Sequence, residues 1–197
     1  MIEIHPKRIR DNWIEGYALD YQTLSSEYIG DDEYGHPQFH TKRSEMGELL
    51  YRLKYRVDKS VIGDIITTAS DFINSKKWPI DLVVPVPPSR KGRKFQPVPI
   101  VAEGIAKALG IMYSDKYVVK VKYSPELKDI FDFDKRMDIL KDAFKIHDQV
   151  ESEHTILLFD DLYRSGATLK AVTKLLLEEG KVKDVYAIAL TMTRRKR

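Results

Sequence analysis

The apolar run ILLF at 156 to 159 is followed without a spacer by two carboxylates, Asp160 and Asp161. Neighbouring carboxylates repel one another and are costly to desolvate, so they need hydroxyl donors, cations or a metal to face them. A vicinal diol brings two donors to a carboxylate at once. Next in the chain, Tyr163, Arg164, Ser165, Gly166, Ala167 and Thr168 read as a tight turn leading into a helix. Glycine permits a left-handed backbone or a close approach, and the N–H groups at a helix start face a phosphate well. Ser165 and Thr168 add hydroxyl donors. Taken singly these parts have plainer readings, an acidic turn and a threonine helix cap. Their order, apolar strand, acidic pair, S-G-x-T turn and helix, points instead to a diol site beside a monophosphate cradle, which suits a ribose 5-phosphate.

Such a turn must be positioned by regular elements. DLVVPV at 81 to 86 is a short β-branched run stopped by prolines, the form of a buried parallel strand. PVPIVAEGIAKALG reads as a helix with proline near its start and Gly110 past its end. KYVVKVK at 116 to 122 reads as a strand, YSPELKDIFDFDKRMD as a long loop running into a short helix, HTILLFDD as a strand, and Thr168 to Glu179 as a helix closed by Gly180. VYAIALTMT forms the last strand. Alternating strands and helices imply an α/β fold with a doubly wound, mostly parallel sheet flanked by helices. Ligands of such sheets bind at the carboxyl ends of the strands, so 85 to 91 and 160 to 168 share one edge.

Upstream, Met46, Leu49, Leu50 and Leu53 recur at helical spacing, as do Ile62, Ile65, Ile66, Ala69, Phe72 and Ile73. Two amphipathic helices follow. Tyr17, Leu19 and Tyr21 alternate as in a half-exposed strand, and SSEYIGDDEYGHPQ is acidic and turn-rich. The expected division is a small N-terminal hood segment over 1–44 and an α/β domain over 45–197.

Composition narrows the class. The 197 residues are 43% hydrophobic and 32% charged, enough for one packed domain. There is no cysteine, which excludes thiolate metal sites and thiol nucleophiles and fits a cytoplasmic setting. The start shows no apolar leader, and the apolar runs are far shorter than the roughly 20 residues needed to span a bilayer. A net charge of +3 is mildly basic, with part of the excess in Arg194, Arg195, Lys196 and Arg197. That tail is the only hint of nucleic acid, and a solvated end is the better explanation of it.

The 156 to 169 stretch resembles the phosphoribosyl pyrophosphate (PRPP) motif of type I phosphoribosyltransferases, and DLVVPVPPSRKGRKFQP, YRLKYR and KRMDILKDAF resemble segments of the competence protein ComF family. The zinc ribbon that begins many ComF relatives has no counterpart here. The resemblance implies that Asp160 and Asp161 hold the ribose hydroxyls and that Arg164, Ser165, Gly166, Ala167 and Thr168 hold the 5-phosphate. It implies a pyrophosphate loop at Pro88, Ser89, Arg90 and Lys91, and a flexible loop flanked or formed by Lys120, Lys122 and Lys128. Arg164 departs from the small hydroxyl residue usual at its position. The family reaction moves a phosphoribosyl group from PRPP to a nitrogen acceptor and releases pyrophosphate. Mg2+ is then expected, bound mainly through PRPP rather than by a protein cage, and so is a homodimer. Histidines give no general base from sequence: His147 and His154 fall near strand starts, on the far side of the sheet from the proposed site.

Overall fold

The computed structural model describes residues 2–88, 95–122, 138–140, 142–147 and 153–194. Ser89, Arg90, Lys91 and Lys128 lie outside this set, as do Arg195, Lys196 and Arg197.

The central sheet has six strands: β1 (Lys7–Ile9), β2 (Glu15–Tyr21), β5 (Leu82–Pro85), β6 (Met112–Tyr113), β9 (His154–Tyr163) and β10 (Val182–Met192). Their spatial order is β1-β2-β10-β9-β5-β6. Only β1 runs antiparallel to its neighbour; β2, β10, β9, β5 and β6 are parallel. Helices α1 (Glu45–Tyr55), α2 (Ile62–Lys76) and α3 (Pro97–Leu109) and the later helix α4 (Ala167–Glu179) flank the sheet. This is the mixed, mostly parallel α/β architecture that the order of elements implied.

The period of two along the strands sorts their side chains between two cores. Ile156, Leu158, Val185, Ala187, Leu82 and Val84 join Leu169, Val172 and Leu176 of α4. Leu157, Phe159, Tyr186, Ile188 and Val83 join Met46, Leu50, Leu53, Ile65, Ala69 and Ile105 of α1 to α3. Each buried strand is therefore apolar on both faces, which explains why ILLF reads as a continuous run.

Several expectations need correction. Residues 15 to 21 are not half exposed, because β2 lies inside the sheet between β1 and β10, and Ala18, Leu19 and Asp20 are buried. The N-terminal segment thus divides: β1 and β2 belong to the sheet, while β3 (Ser25–Asp31) and β4 (Pro37–Lys42) form a separate two-stranded hairpin from the acidic, turn-rich stretch. The strand expected over 116 to 122 is shorter, β7 (Val118–Lys120), and pairs antiparallel with β8 (Phe144–Ile146) outside the main sheet. β9 does not stop at the aspartates. It continues to Tyr163, because Asp160, Leu162 and Tyr163 pair with Ala189, Thr191 and Met192 of β10.

Helix ends follow their local chemistry. Ser44 caps α1, its hydroxyl accepting from the Gly47 N–H at 3.0 Å. Gly110 ends α3 in the left-handed region at φ 68°.

Candidate functional site

Val86 donates its N–H to the Phe159 carbonyl at 2.8 Å, so β5 leaves the sheet beside Phe159 while β9 runs on to Tyr163. Pro87 and Pro88 therefore start their loop level with Asp160 and Asp161. From β5 the chain crosses through α3 on one face, and from β9 through α4 on the other. The strands between which the winding reverses open the crevice where ligands of such sheets bind.

On the β9 side the geometry is tight. The Asp161 N–H donates to Asp160 Oδ1 at 2.8 Å, and Thr191 Oγ1 donates to the Asp161 carbonyl at 3.0 Å. Burial first, and the neighbouring Asp161 carboxylate second, push the Asp160 carboxyl up to about 8; backbone N–H donation and the Lys54 charge oppose this. Lys54 reaches across from α1 and sets its Nζ 2.6 Å from Asp161 Oδ2, with both side chains largely enclosed.

The turn after β9 is built around Gly166, at φ 84°, which stands as the N-cap of α4. A Cβ there would lie 2.6 Å from the Tyr163 phenol oxygen. Tyr163 thus packs against the turn rather than forming part of it. Ser165 Oγ accepts from the Ala167 N–H at 3.4 Å, and Lys170 N–H donates to the Gly166 carbonyl at 2.8 Å as α4 begins. Gly166 and Ala167 are buried, Ser165 and Thr168 half-buried, and Arg164 exposed. Arg164 offers its carbonyl to Thr193 Oγ1 at 3.5 Å. The structure thus brings Asp160, Asp161 and 164 to 168 together at the carboxyl end of β9, with Pro88 at the end of β5.

Beyond β5 lies a cavity of about 500 Å3 whose lining includes Pro87, Pro88, Asp115, Lys120 and His147. Lys120 is buried, with its Nζ 5.9 Å from the Phe144 ring centre, and burial lowers its pKa. Lys122 is exposed and pairs with Asp142 at 3.5 Å. His154 does begin β9, where its Nδ1 is 2.9 Å from Asp81 Oδ1. His147 is different: it follows β8 and shares the cavity with Pro87 and Pro88, on the loop side and not away from it.

Two site features escaped the sequence reading. Lys54 sits in a helix whose periodicity reveals only its apolar face, and its partner is over a hundred positions away. The cavity wall joins Pro87 and Pro88 after β5, residues of β7 and His147 after β8, which no local pattern links. The basic tail also begins less freely than expected: the Arg194 guanidinium donates to the Leu24 carbonyl and lies 5.2 Å from the Tyr21 ring centre.

Among the described residues no group of three or more His, Asp or Glu could cage a metal. Lys54 already neutralises one carboxylate of the pair. A Mg2+ at this edge would take its oxygens mainly from a phosphate ligand. No helix of the described residues is long and apolar enough to cross a membrane.

No protein-family model matches the chain, and no curated protein matches it in sequence. Among solved structures it is similar to adenine phosphoribosyltransferase from Saccharomyces cerevisiae, with 12% identity and a TM-score of 0.48 over 86% of this chain and 85% of that one. The APRTase from Giardia lamblia gives 14% identity and 0.48 over 86% and 94%. Leishmania donovani UMP synthase gives 10% identity and 0.41 over 83% of this chain, which spans only 28% of that protein's length. At these identities and scores the likeness is one of overall chain course, and the chemistry of the site rests on its own residues.

Proposed function

We propose that the chain is a phosphoribosyltransferase that moves the 5-phosphoribosyl group of PRPP to a nitrogen acceptor and releases pyrophosphate. The observation that carries this reading is the juxtaposition, on one sheet edge, of the Asp160–Asp161 pair with the glycine turn at the start of α4. A ribose 5-phosphate needs both, a carboxylate for its hydroxyls and a cluster of N–H and hydroxyl donors for its phosphate.

In this reading Ser165, Gly166, Ala167 and Thr168 hold the 5-phosphate, with the Arg164 charge beside it. In the same reading Pro88, Ser89, Arg90 and Lys91 bind the pyrophosphate, and Lys122 and Lys128 supply positive charge to the anionic ligand. The C1–O bond breaks with its electron pair leaving on pyrophosphate, and the acceptor nitrogen's lone pair forms the C1–N bond while its proton passes to solvent. The ribose hydroxyls favour the ionised form of Asp160, whose charge then favours the oxocarbenium-like transition state. Mg2+ held on PRPP oxygens would neutralise the leaving group. The β3–β4 hairpin is the part of the expected hood that stands outside the sheet, and the acceptor enters from its side. Kinship with ComF proteins rests on the 81 to 97, 51 to 56 and 135 to 144 segments alone, a homodimer on the wider resemblance, and a cytoplasmic location on the lack of cysteine.

One observation favours a second reading, a binding-only PRPP or nucleotide sensor. With Lys54 on Asp161, less negative charge remains to stabilise a cationic sugar. Calorimetric titration with PRPP, with and without Mg2+, followed by pyrophosphate release against a panel of bases and amines, separates the two. Release with any acceptor supports transfer; tight binding without release supports a sensor. Absence of PRPP binding refutes both.

A further inference from the structure

The two carboxylates of the pair face different ways. Strand alternation puts Asp160 on the side of Ile156 and Leu158, whose core is shared with α4, and Asp161 on the side of Leu157 and Phe159, whose core is shared with α1 to α3. Lys54 confirms the second placement, since it comes from α1 and stands 2.6 Å from Asp161. The glycine turn belongs to α4, so its phosphate cradle lies on the Asp160 side.

The partners of Asp161 are held firmly. Its carbonyl is tied to Thr191, and its N–H to Asp160 Oδ1. α1 is seated by Ser44, which caps it while donating its own hydroxyl to the Tyr21 carbonyl at 2.5 Å. Gly47 brings the helix so close to Gln22 that a side chain there would collide with the Gln22 carbonyl. Lys54 therefore arrives on a helix fixed to the end of β2. An ion pair this enclosed costs more to break than an exposed one, because either partner alone is left charged and poorly solvated.

We propose that the acidic pair is divided in labour: Asp161 is a positioning residue locked to Lys54, and Asp160 is the carboxylate that receives the sugar hydroxyls. This deepens the phosphoribosyl reading and rests on it. Lys54 acts on the ligand through Asp161 and the backbone bond between the two acids, and does not touch the sugar.

The test is a calorimetric binding cycle on the full chain with ribose 5-phosphate and, separately, with PRPP and Mg2+. The variants are Asp160→Asn, Asp161→Asn, Lys54→Met, Lys54→Arg and the double Asp161→Asn/Lys54→Met. Donation by the sugar hydroxyls favours the ionised form of Asp160, so Asp160→Asn should weaken ribose 5-phosphate by about a hundredfold, the loss of hydrogen bonds to a group that ligand binding charges. Asp161→Asn and Lys54→Met should each weaken it by about tenfold, and the double by no more than either single, because both break one pair. Lys54→Arg should keep the wild-type affinity, which a general loss of fold would not predict.

Additive losses in the double variant overturn the proposal, as does an Asp161→Asn loss equal to that of Asp160→Asn with Lys54→Met silent. If the wild type binds ribose 5-phosphate but not PRPP, the transferase reading falls while the cycle still decides the division of labour. If it binds neither, both fall.

Discussion

Gly166 and Tyr163 touch across the turn that begins α4: the phenol oxygen occupies the space a Cβ at 166 would need, 2.6 Å away. The same residue holds φ 84°, where a side chain is strained even in open space. Gly166→Ala should therefore destabilise the chain by about 1 to 3 kcal/mol and weaken ribose 5-phosphate binding together. Thermal unfolding and titration check both, and adding Tyr163→Ala should recover part of the stability by removing the clash but not the backbone strain. An alanine variant with unchanged unfolding and affinity would show that the turn is not built this way.

Asp160 makes stability depend on pH in an unusual direction. Its carboxyl is pushed up to about 8 in the fold, whereas an unfolded aspartate titrates near 3.9. Between these values the native chain keeps a proton that the unfolded chain has lost, so ionisation opposes folding. Its contribution is most favourable below about pH 4 and declines as the pH rises towards 8. Asp160→Asn removes that dependence. The variant should melt above the wild type at pH 8 and level with it at pH 4, while losing ligand, the common conflict between stability and function. Parallel melting curves across this range would refute the assignment.

α1 is seated by an absence. Gly47→Ala would drive a methyl group into the Gln22 carbonyl, and overpacking of this kind costs about 1 to 3 kcal/mol. Urea unfolding should show that loss. Because the displaced helix carries Lys54, ribose 5-phosphate affinity should fall as well, although Gly47 is remote from the ligand.

The β3–β4 hairpin should behave in the opposite way. Tyr28 and Phe39 form an edge-to-face pair with ring centres 5.8 Å apart, yet stay 58% and 55% exposed. Replacing both by serine should change stability by only about 0.5 kcal/mol per site and leave ribose 5-phosphate binding intact. If the acceptor enters from this side, pyrophosphate release should drop. Loss of phosphate binding instead would place the hairpin in the fold rather than over the acceptor.

Much of this architecture is legible in local chemistry. The apolar run before Asp160, the proline start and Gly110 stop of α3 and the spacing of Met46, Leu49, Leu50 and Leu53 each act within a few residues, so the chain displays them directly. What stays hidden depends on pairing at long range. Strand β9 passes through two aspartates because Ala189 to Met192 supply it with a ladder, and nothing near 160 announces that. Residues 15 to 21 look half exposed until β10 is laid beside them. Lys54 and Asp161 meet only once α1 is fixed against the end of β2, so neither residue's neighbours in sequence point to the other.

The place of β2 in the sheet has a kinetic meaning. It is among the earliest strands in the chain, yet its parallel partner is β10, with Glu15 opposite Tyr186. On a ribosome β2 must wait, with the N–H and C=O groups of one edge unpaired, until nearly all the described sequence has been made. Sheet completion is thus a late, high-contact-order event. During synthesis this unpaired edge is a template on which another chain could add a strand.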